Sequence, residues 1–341
     1  MFSEIAIFWS NNYDQYLWAV STSLLKFSEK NFSIKEEEKL AAQKKAWRNG
    51  KLIPYEEATV HLMSHSLTRG SAIFEVLGVY LTPAGPAAFR LADHADRLIR
   101  SAELLDMRLS QSKEEIMQAV VDTVKANKVT QGYVKIVGFF GQETFTVTVS
   151  DPRMELSVFA FTEEEYKPKD SPKMISACLS KWRRLHPETV PIEAKVAANY
   201  LNGMLARLDA QRRGFDLGIM LDTHGLVAEG SVESVFLVKD GILMTPPLGR
   251  ILSSITRRSI LEAAPHAGIK VCERPIRPAE LFEAEEIFIS STSRRVMPIY
   301  KIENRPLGEV PGPITSKIAN LISAICAGKE ERFKDWLYPI R

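Results

Sequence analysis

The chain has 341 residues, of which 45% are hydrophobic and 25% are charged, the composition of an ordinary globular protein. Its 44 basic and 42 acidic residues leave a formal net charge of +2, which excludes the strong field typical of proteins that bind nucleic acid or an anionic membrane. The length predicts two domains, or one large one, with room for a sizeable core.

The three cysteines, Cys178, Cys272 and Cys326, lie far apart and include no CxxC pair. This arrangement predicts neither a zinc site nor a disulfide framework. We therefore expect no metal centre and a reducing, cytoplasmic location.

Residues 1–45 are predicted to be an N-terminal extension. The stretch MFSEIAIFWSNNYDQYLWAV is apolar and aromatic, but it lacks a basic start and is interrupted by Glu4 and Asp14, which is atypical of a signal peptide. No window reaches the roughly 20 apolar residues that a membrane-spanning helix needs. We interpret the extension, which ends in the charged and helix-forming run KEEEKLAAQKK, as a segment packed on the body or on a partner subunit.

Residues 46–165 are predicted to be a small N-terminal domain. The Asn-Gly pair at 49–50 indicates a hairpin turn, and SAIFEVLGVYL indicates a buried strand or a short helix. Two helices follow, FRLADHADRLIRSAELLDM with Asp93 as its N-cap and SKEEIMQAVVDTVKAN with a capping box of Ser112 and Glu115. The runs YVKIVGFF, TFTVTVS and ELSVFAFT are predicted strands.

A charged stretch containing two prolines, EEEYKPKDSPK, divides the chain, and we place the interdomain linker at 166–173. A larger domain is predicted at 174–325 and a C-terminal tail at 326–341. The larger domain contains a predicted helix near Lys195 that ends near Gly214. It continues through the strands DLGIMLD and LVAEGS and a hairpin in VFLVKDGILMT that turns at an Asp-Gly pair.

The helix of SSITRRSILEAA, capped by Ser254 or Thr256, and the strand EEIFISST complete the larger domain. Strands and helices are mixed without regular alternation. The pattern therefore favours an α+β fold over a doubly wound sheet.

Lys195 is the first candidate functional residue, because it lies among small and apolar residues in VPIEAKVAANYLNGML. An amine held in an apolar pocket can form a Schiff base with an aldehyde cofactor. The alternative is a lysine at a helix end whose aliphatic stem packs on the protein and whose amine reaches water.

Three further features could serve the same cofactor. Glu229, at the end of a predicted strand, could pair with a protonated pyridine nitrogen. The hydroxyl-rich turns SSITRR and SSTSRR could offer hydroxyls and N–H groups to a phosphate, and Arg97 could add a bidentate contact. Taken singly, these features are also typical of a solvated acid, of helix capping and of a surface arginine.

Together these residues resemble one family. EAKVAANYLNGMLARLDAQRRGFDLGIMLDTHGLVAEGSVESVFLV and ILSSITRRSILEAA are similar to the class IV aminotransferases, which are pyridoxal-phosphate enzymes of fold type IV, and most of all to branched-chain amino-acid aminotransferases. NGKLIPYEEATVHLMSHSLTRGSAIFEV, FRLADHADRL and KWRRLHPETVPIEAK extend the resemblance over about 47–325. It implies a small and a large domain with pyridoxal 5′-phosphate between them, in a homodimer or higher homo-oligomer that binds neither nucleic acid nor membrane.

The resemblance also implies a role for each candidate residue. Lys195 would be the catalytic lysine that binds the cofactor and moves the proton, Tyr200 would contact the phenolic oxygen, and Glu229 would hold the pyridine nitrogen. The phosphate would be bound by Arg97, Ile255, Thr256 and Thr292, and the substrate by Phe74, Tyr133, Lys135, Ser293 and Arg294. The implied reaction moves an amino group between a branched-chain-like amino acid and a 2-oxo acid such as 2-oxoglutarate.

The sequence departs from the family pattern near the expected substrate site. Lys135 stands where branched-chain enzymes carry an arginine, and Arg294 and Arg295 stand where Ala and Glu are usual. We expect one of these two arginines to face inward and bind a substrate carboxylate, unless both pair with acids such as those of FEAEE.

Two alternatives therefore stay open. The scaffold could serve a D-amino-acid or (R)-amine transaminase, since IFEVLGVY is as similar to those enzymes as to the branched-chain ones, or it could serve an aminodeoxychorismate lyase. A non-catalytic protein that binds pyridoxal phosphate is the other alternative, although the intact Lys195, Tyr200 and Glu229 argue against it.

Overall fold

The computed structural model describes residues 44–166 and 172–341. Residues 45–341 form one compact unit. The predictions for the N-terminal extension fall outside the described residues, as does part of the predicted linker. No helix in the two described ranges is long and apolar enough to cross a bilayer.

The first half of the described chain forms a sheet with two long helices on one face. Its helices are α1 (His65–Arg69), α2 (Leu91–Glu103), α3 (Lys113–Ala126) and α4 (Glu163–Tyr166). Its strands are β1 (Lys45–Arg48), β2 (Lys51–Pro54), β3 (Ile73–Thr82), β4 (Gly85–Phe89), β5 (Arg108–Leu109), β6 (Gly132–Phe139) and β7 (Arg153–Thr162).

The second half begins at residue 172 and carries most of the remaining strands. Its helices are α5 (Ala197–Arg212), α6 (Ile255–Ala263), α7 (Pro278–Leu281) and α8 (Pro313–Cys326). Its strands are β8 (Ile175–Leu179), β9 (Leu217–Leu221), β10 (Val227–Glu229), β11 (Ser234–Lys239), β12 (Ile242–Thr245), β13 (Lys270–Glu273), β14 (Glu286–Ser290), β15 (Met297–Ile302), β16 (Arg305–Pro306) and β17 (Leu337–Pro339).

Within the described residues the strands form two sheets. The first has the order β17-β4-β3-β6-β7-β1-β2, with β5 beside β7. The second has the order β10-β9-β8-β15-β14-β11-β12-β13, and β10 also pairs with β11. That extra pairing closes β8, β9, β10, β11, β14 and β15 into a ring, which removes their open edges. The last strand, β17, returns to the first sheet, where Leu337 is opposite Phe89.

The alternation of β3 separates its structural face from its site face. Ile73 and Leu77 are fully buried in the core that also contains Leu98 of α2. Because side chains alternate along a strand, Phe74 and Val76 lie on the opposite face of the sheet. The choice between a strand and a helix for this stretch, left open by the sequence, is therefore resolved as a strand.

Several local predictions are confirmed. The Asn-Gly pair joins the antiparallel strands β1 and β2, and the Asp-Gly pair joins β11 and β12. Ser112 and Glu115 form the predicted capping box at the start of α3. Of the two candidate caps of α6, Ser254 is the one used, since its side chain accepts a hydrogen bond from the N–H of Arg257.

Asp93 is not the N-cap of α2, so that prediction was wrong. The helix begins at Leu91 and is preceded by Arg90, which has a left-handed φ of 49°. The N–H of Arg90 donates to the carbonyl of Trp336, and its guanidinium stacks on that indole ring, which fixes the start of the helix earlier. Asp93 lies in the first turn of the helix instead, where its carboxylate pairs with Arg258 at a distance of 2.6 Å.

The predicted strand TFTVTVS was also wrong. Residues 145–150 form bends, and the side chain of Phe145 is 88% exposed. Strand β6, just before this stretch, already pairs with β3 on one side and with β7 on the other. No edge of β6 is left for the alternating Thr and Val residues, so the stretch becomes a connection.

Candidate active site

The backbone of Lys195 is held by residues of β3 and α2. Its carbonyl accepts a hydrogen bond of 3.0 Å from the N–H of Phe74, and its own N–H donates to the hydroxyl of Ser101 at 3.0 Å. Val196, which is paired with Ile73 and has extended φ and ψ, precedes the first residue of α5. Lys195 therefore lies just before the helix, held by the edge of β3.

The amine of Lys195 faces two aromatic rings. Its Nζ donates to the hydroxyl of Tyr200 at 2.5 Å. The same nitrogen lies 4.9 Å from the ring centre of Phe74, and the rings of Phe74 and Tyr200 are 4.7 Å apart in an edge-on arrangement. The first turn of α5 thus brings the phenol back over the lysine. This arrangement holds the amine beside an apolar wall and a phenolic hydroxyl.

Glu229, at the end of β10, is 6% exposed and forms an ion pair with the equally buried Arg184. Burial raises the pKa of Glu229, and the charges of Arg184 and Lys195 and the N–H of Leu252 oppose that shift. A buried carboxylate with a fixed cation on one side can accept a proton-bearing nitrogen on its other side.

Tyr200, Glu229 and Arg184 line one cavity, together with Ser231. The hydroxyl of Ser231 is buried without a hydrogen-bond partner among the described residues. The turn that carries it packs closely on α5, because a Cβ at Gly203 would lie 1.9 Å from the carbonyl oxygen of Ser231. Only glycine allows this approach, which joins the lysine helix to the Glu229 turn.

The start of α6 lies near Arg97, whose guanidinium donates to the carbonyl of Ser253 just before this helix. Ile255 and Thr256 are its first two residues and are buried. The first N–H groups of a helix have no partner within it, so this end offers donors to an anion. Thr292, in the turn after β14, donates its hydroxyl to the carbonyl of Val76 at 3.1 Å, which joins that turn to β3.

Arg97 lies on α2 and faces a buried carboxylate. Its Nε and Nη2 each donate to Glu75 at 2.6 Å, and its Nη1 donates to the carbonyl of Ser253 at 2.8 Å. His94, one turn earlier, contacts the same carboxylate through Nδ1 at 2.7 Å. The contact with Ser253 places Arg97 against the segment that leads into α6.

The predicted substrate residues are only partly brought together. The hydroxyl of Tyr133 donates to the carbonyl of Ser293 at 3.3 Å, and the Nζ of exposed Lys135 lies 5.6 Å from the ring centre of Phe74. In residues 44–166 and 172–341, the side chain of Arg294 makes neither a hydrogen bond nor an ion pair.

Comparison with known proteins identifies the family. A model of the family "Amino-transferase class IV" matches residues 72–302. The chain belongs to the class IV aminotransferases. It is 34% identical over 298 residues to the branched-chain-amino-acid aminotransferase of Salmonella typhimurium, covering 86% of this chain and 96% of that one.

Solved structures agree with this assignment. The branched-chain aminotransferase of Escherichia coli is similar with a TM-score of 0.84 and 33% identity, over 88% of this chain and 100% of that one. Another branched-chain aminotransferase, solved with pyridoxamine 5′-phosphate, is similar with a TM-score of 0.83 and 30% identity, over 88% of this chain and 99% of that one. This aminotransferase therefore has the fold of type IV enzymes, and its cofactor is pyridoxal 5′-phosphate.

The cavity of this aminotransferase fits that cofactor. The Lys195 amine suits its aldehyde, the buried Glu229 suits its ring nitrogen, and the first turn of α6 suits its phosphate. The hydroxyl of Thr256 makes no hydrogen bond within the described residues, so it can donate to an anion. Within the same residues, no group of three or more His, Cys, Asp or Glu side chains could hold a metal ion.

Sequence reasoning missed two buried residues, Arg184 beside Glu229 and Glu75 beside Arg97. Arg184 is buried against Glu229 while its neighbour Arg183 is exposed, and two adjacent arginines in KWRRLHPET gave no sign of which points inward. Glu75 could have been found, because strand alternation puts it on the helix side of β3. Arg295, one of the two arginines of which one was expected to face inward, lies 5.7 Å from the ring centre of Tyr80, a contact between distant segments that the sequence did not indicate.

Proposed function

We propose that this aminotransferase moves an amino group between a branched-chain amino acid and a 2-oxo acid such as 2-oxoglutarate. The branched-chain aminotransferases to which it is similar support this substrate class. The observation that carries the proposal is the Lys195 amine, 2.5 Å from the Tyr200 hydroxyl and beside the ring of Phe74. An apolar wall next to the reactive amine suits an aliphatic side chain.

Bound pyridoxal phosphate supplies an aldehyde carbon that takes up the amino group and a ring that delocalises negative charge. We assign to Lys195 Nζ the covalent hold on that carbon and the transfer of the proton from the donor's α-carbon. Tyr200 orients Nζ through its hydroxyl. Glu229 would accept a hydrogen bond from the pyridine N–H, and Arg184 holds that carboxylate in place. Arg97, Ile255, Thr256 and Thr292 hold the phosphate in this scheme.

On the substrate side, we assign contacts to Phe74, Tyr133, Lys135 and Ser293. The first three project from one face of the first sheet. Phe74, Val76 and Gly78 share a face of β3, and in the neighbouring strand Val76 is opposite Lys135 and Gly78 is opposite Tyr133. Lys135 supplies a charge for the substrate carboxylate without the bidentate fork of an arginine. A contact from Arg294 stays a prediction.

The test is the absorbance of the cofactor after mixing the holoenzyme with single amino donors. L-leucine should convert the cofactor to its amine form faster than D-alanine, an (R)-amine or aminodeoxychorismate. 2-Oxoglutarate should then restore the original spectrum. Conversion by D-alanine or by an (R)-amine alone would contradict the branched-chain assignment and favour the corresponding alternative on this scaffold.

We also propose that the enzyme is a homodimer in the cytoplasm. Leu62, Leu67, Phe145 and Val147 form an exposed apolar patch, with exposed fractions of 57–88%. The two segments touch, because the N–H of Thr144 donates to the carbonyl of Met63. An apolar patch of this kind is typical of a subunit interface. Sedimentation should give twice the chain mass, and Phe145→Asp should shift the equilibrium towards the monomer.

A further inference from the structure

Arg97 brings little net charge to the phosphate end of the site. Both of its hydrogen bonds to Glu75 are 2.6 Å long, and that carboxyl group is fully buried. Burial alone would raise the pKa of Glu75, but the charge of Arg97 and hydrogen bonds from Arg97 and His94 lower it to about 2. Glu75 is therefore ionised at neutral pH, and its charge cancels that of Arg97.

A phosphate monoester carries about two negative charges at neutral pH. The start of α6 offers it N–H groups and about half a positive charge. Arg97 keeps free N–H donors on its Nη1–Nη2 edge, and these can still make hydrogen bonds. They belong, however, to the Glu75–Arg97 pair, which has no net charge. A further cation beside these groups would stabilise a buried dianion.

Arg295 is the cation that fits. It follows Thr292 by three positions, and its guanidinium lies 5.7 Å from the ring centre of Tyr80. No carboxylate pairs with it in residues 44–166 and 172–341, so the alternative that both arginines pair with acids finds no support there. Its charge is felt nearby: burial raises the pKa values of Tyr80, Tyr133 and Cys326, and Arg295 opposes that rise in each.

Arg295 also shares a cavity with Thr256 and Thr292, two of the four residues assigned to the phosphate. Thr256 of α6, Thr292 of the turn and His94 of α2 line the same cavity. Arg295 has a φ of 53°, in the left-handed region that non-glycine residues rarely adopt. Its N–H donates to the carbonyl of Ser291 at 2.7 Å, which holds this strained turn closed. Strain of this kind persists where the surrounding structure enforces it, often at a binding site.

We propose that Arg295 binds the phosphate of the cofactor and supplies the positive charge that the Glu75–Arg97 pair does not. The inward member of the arginine pair is then Arg295, and its ligand is the cofactor rather than an acidic substrate. The assignment rests on the cofactor of the family and is independent of which amino acid the enzyme uses.

The test compares pyridoxal phosphate with pyridoxal, which lacks the phosphate, as ligands of the full-length apoenzyme. Both aldehydes can react with Lys195, so the ratio of their dissociation constants isolates the phosphate contribution. Arg295→Ala should raise the dissociation constant of pyridoxal phosphate about 10- to 100-fold, the range for losing a hydrogen bond to a charged group. The dissociation constant of pyridoxal should stay nearly unchanged. Arg295→Lys should restore part of the loss, since it keeps the charge.

Arg294→Ala is the matched control, because it removes the same charge from the adjacent position and should leave the ratio unchanged. Inorganic phosphate should compete with pyridoxal phosphate and slow the reconstitution of wild-type apoenzyme. It should slow the reconstitution of the Arg295→Ala variant less. If Arg295→Ala does not fold, as judged by circular dichroism, Arg295→Gln is measured in its place. An unchanged ratio, or an equal change in both arginine variants, would overturn the proposal. Selective loss of 2-oxoglutarate use with an unchanged ratio would overturn it in favour of an acidic-substrate contact.

Discussion

Glu75 and Arg97 form two hydrogen bonds of 2.6 Å between β3 and α2. The carboxyl group of Glu75 is fully buried and also contacts Nδ1 of His94 at 2.7 Å. One buried acid thus fixes the orientation of the arginine that faces α6 and of the histidine one turn before it. Removing this acid should have consequences for stability as well as for cofactor binding.

We expect Glu75→Gln to lower the free energy of unfolding at neutral pH. A pKa lowered from 4.5 to about 2 corresponds to about 3 kcal/mol. Because the folded-state value is the lower one, this stability is present above pH 4.5 and is lost as the pH falls towards 2. Urea unfolding of both proteins should therefore show a difference that shrinks in acid.

Glu103→Gln is the control for that experiment, since Glu103 is exposed on α2, the helix that carries Arg97, and its contact with Arg100 is 3.5 Å long. Its unfolding free energy should stay within about 0.5 kcal/mol of wild type. A gap between wild type and Glu75→Gln that stayed constant down to acid pH would show that the carboxylate charge is not the cause.

Lys195→Ala should abolish the covalent bond to the cofactor. General acid–base transfer alone contributes about 10²–10⁴-fold to a rate, so turnover should fall by at least that factor. Mass spectrometry after borohydride reduction measures the bond directly. A cofactor adduct that survives in this variant would assign the reactive amine to another lysine. Lys135→Ala, which removes a lysine next to Phe74, should keep the adduct.

Arg184→Ala should leave the Glu229 carboxyl group buried without its ion-pair partner. Removing one member of a buried pair costs about 3–5 kcal/mol, so the free energy of unfolding should fall by that order. Arg183→Ala is the matched control, because that neighbouring side chain is exposed and its loss should cost little. Similar losses in the two variants would contradict the burial argument.

Gly203→Ala tests the contact between α5 and the turn after Glu229. In an open helix this change would stabilise by about 1 kcal/mol. Here the new Cβ would lie 1.9 Å from the carbonyl oxygen of Ser231, so we expect a loss on the order of 1–3 kcal/mol and weaker cofactor binding. Gln211→Ala, on an exposed part of the same helix, should be neutral or slightly stabilising. A stabilised Gly203→Ala would show that the turn can move away freely.

The sequence by itself determined the family, the order of most elements and the local signals. The capping box of α3 and the two hairpin turns depend on neighbouring residues only, so their chemistry is visible in a few letters. The same holds for Lys195 and Tyr200, which are five positions apart and meet in one turn of backbone.

Only the tertiary structure decided which side chains meet across segments. Arg295 and Tyr80 are brought together by the packing of the turn after β14 on β3, and nothing local to either residue encodes that contact. The strand predicted for TFTVTVS failed for the same reason, because strand formation needs a partner edge and both edges of β6 were taken by distant segments. Hydrogen bonding along a strand and pairing of buried charges are satisfied between remote parts of a chain, so a one-dimensional pattern cannot specify them.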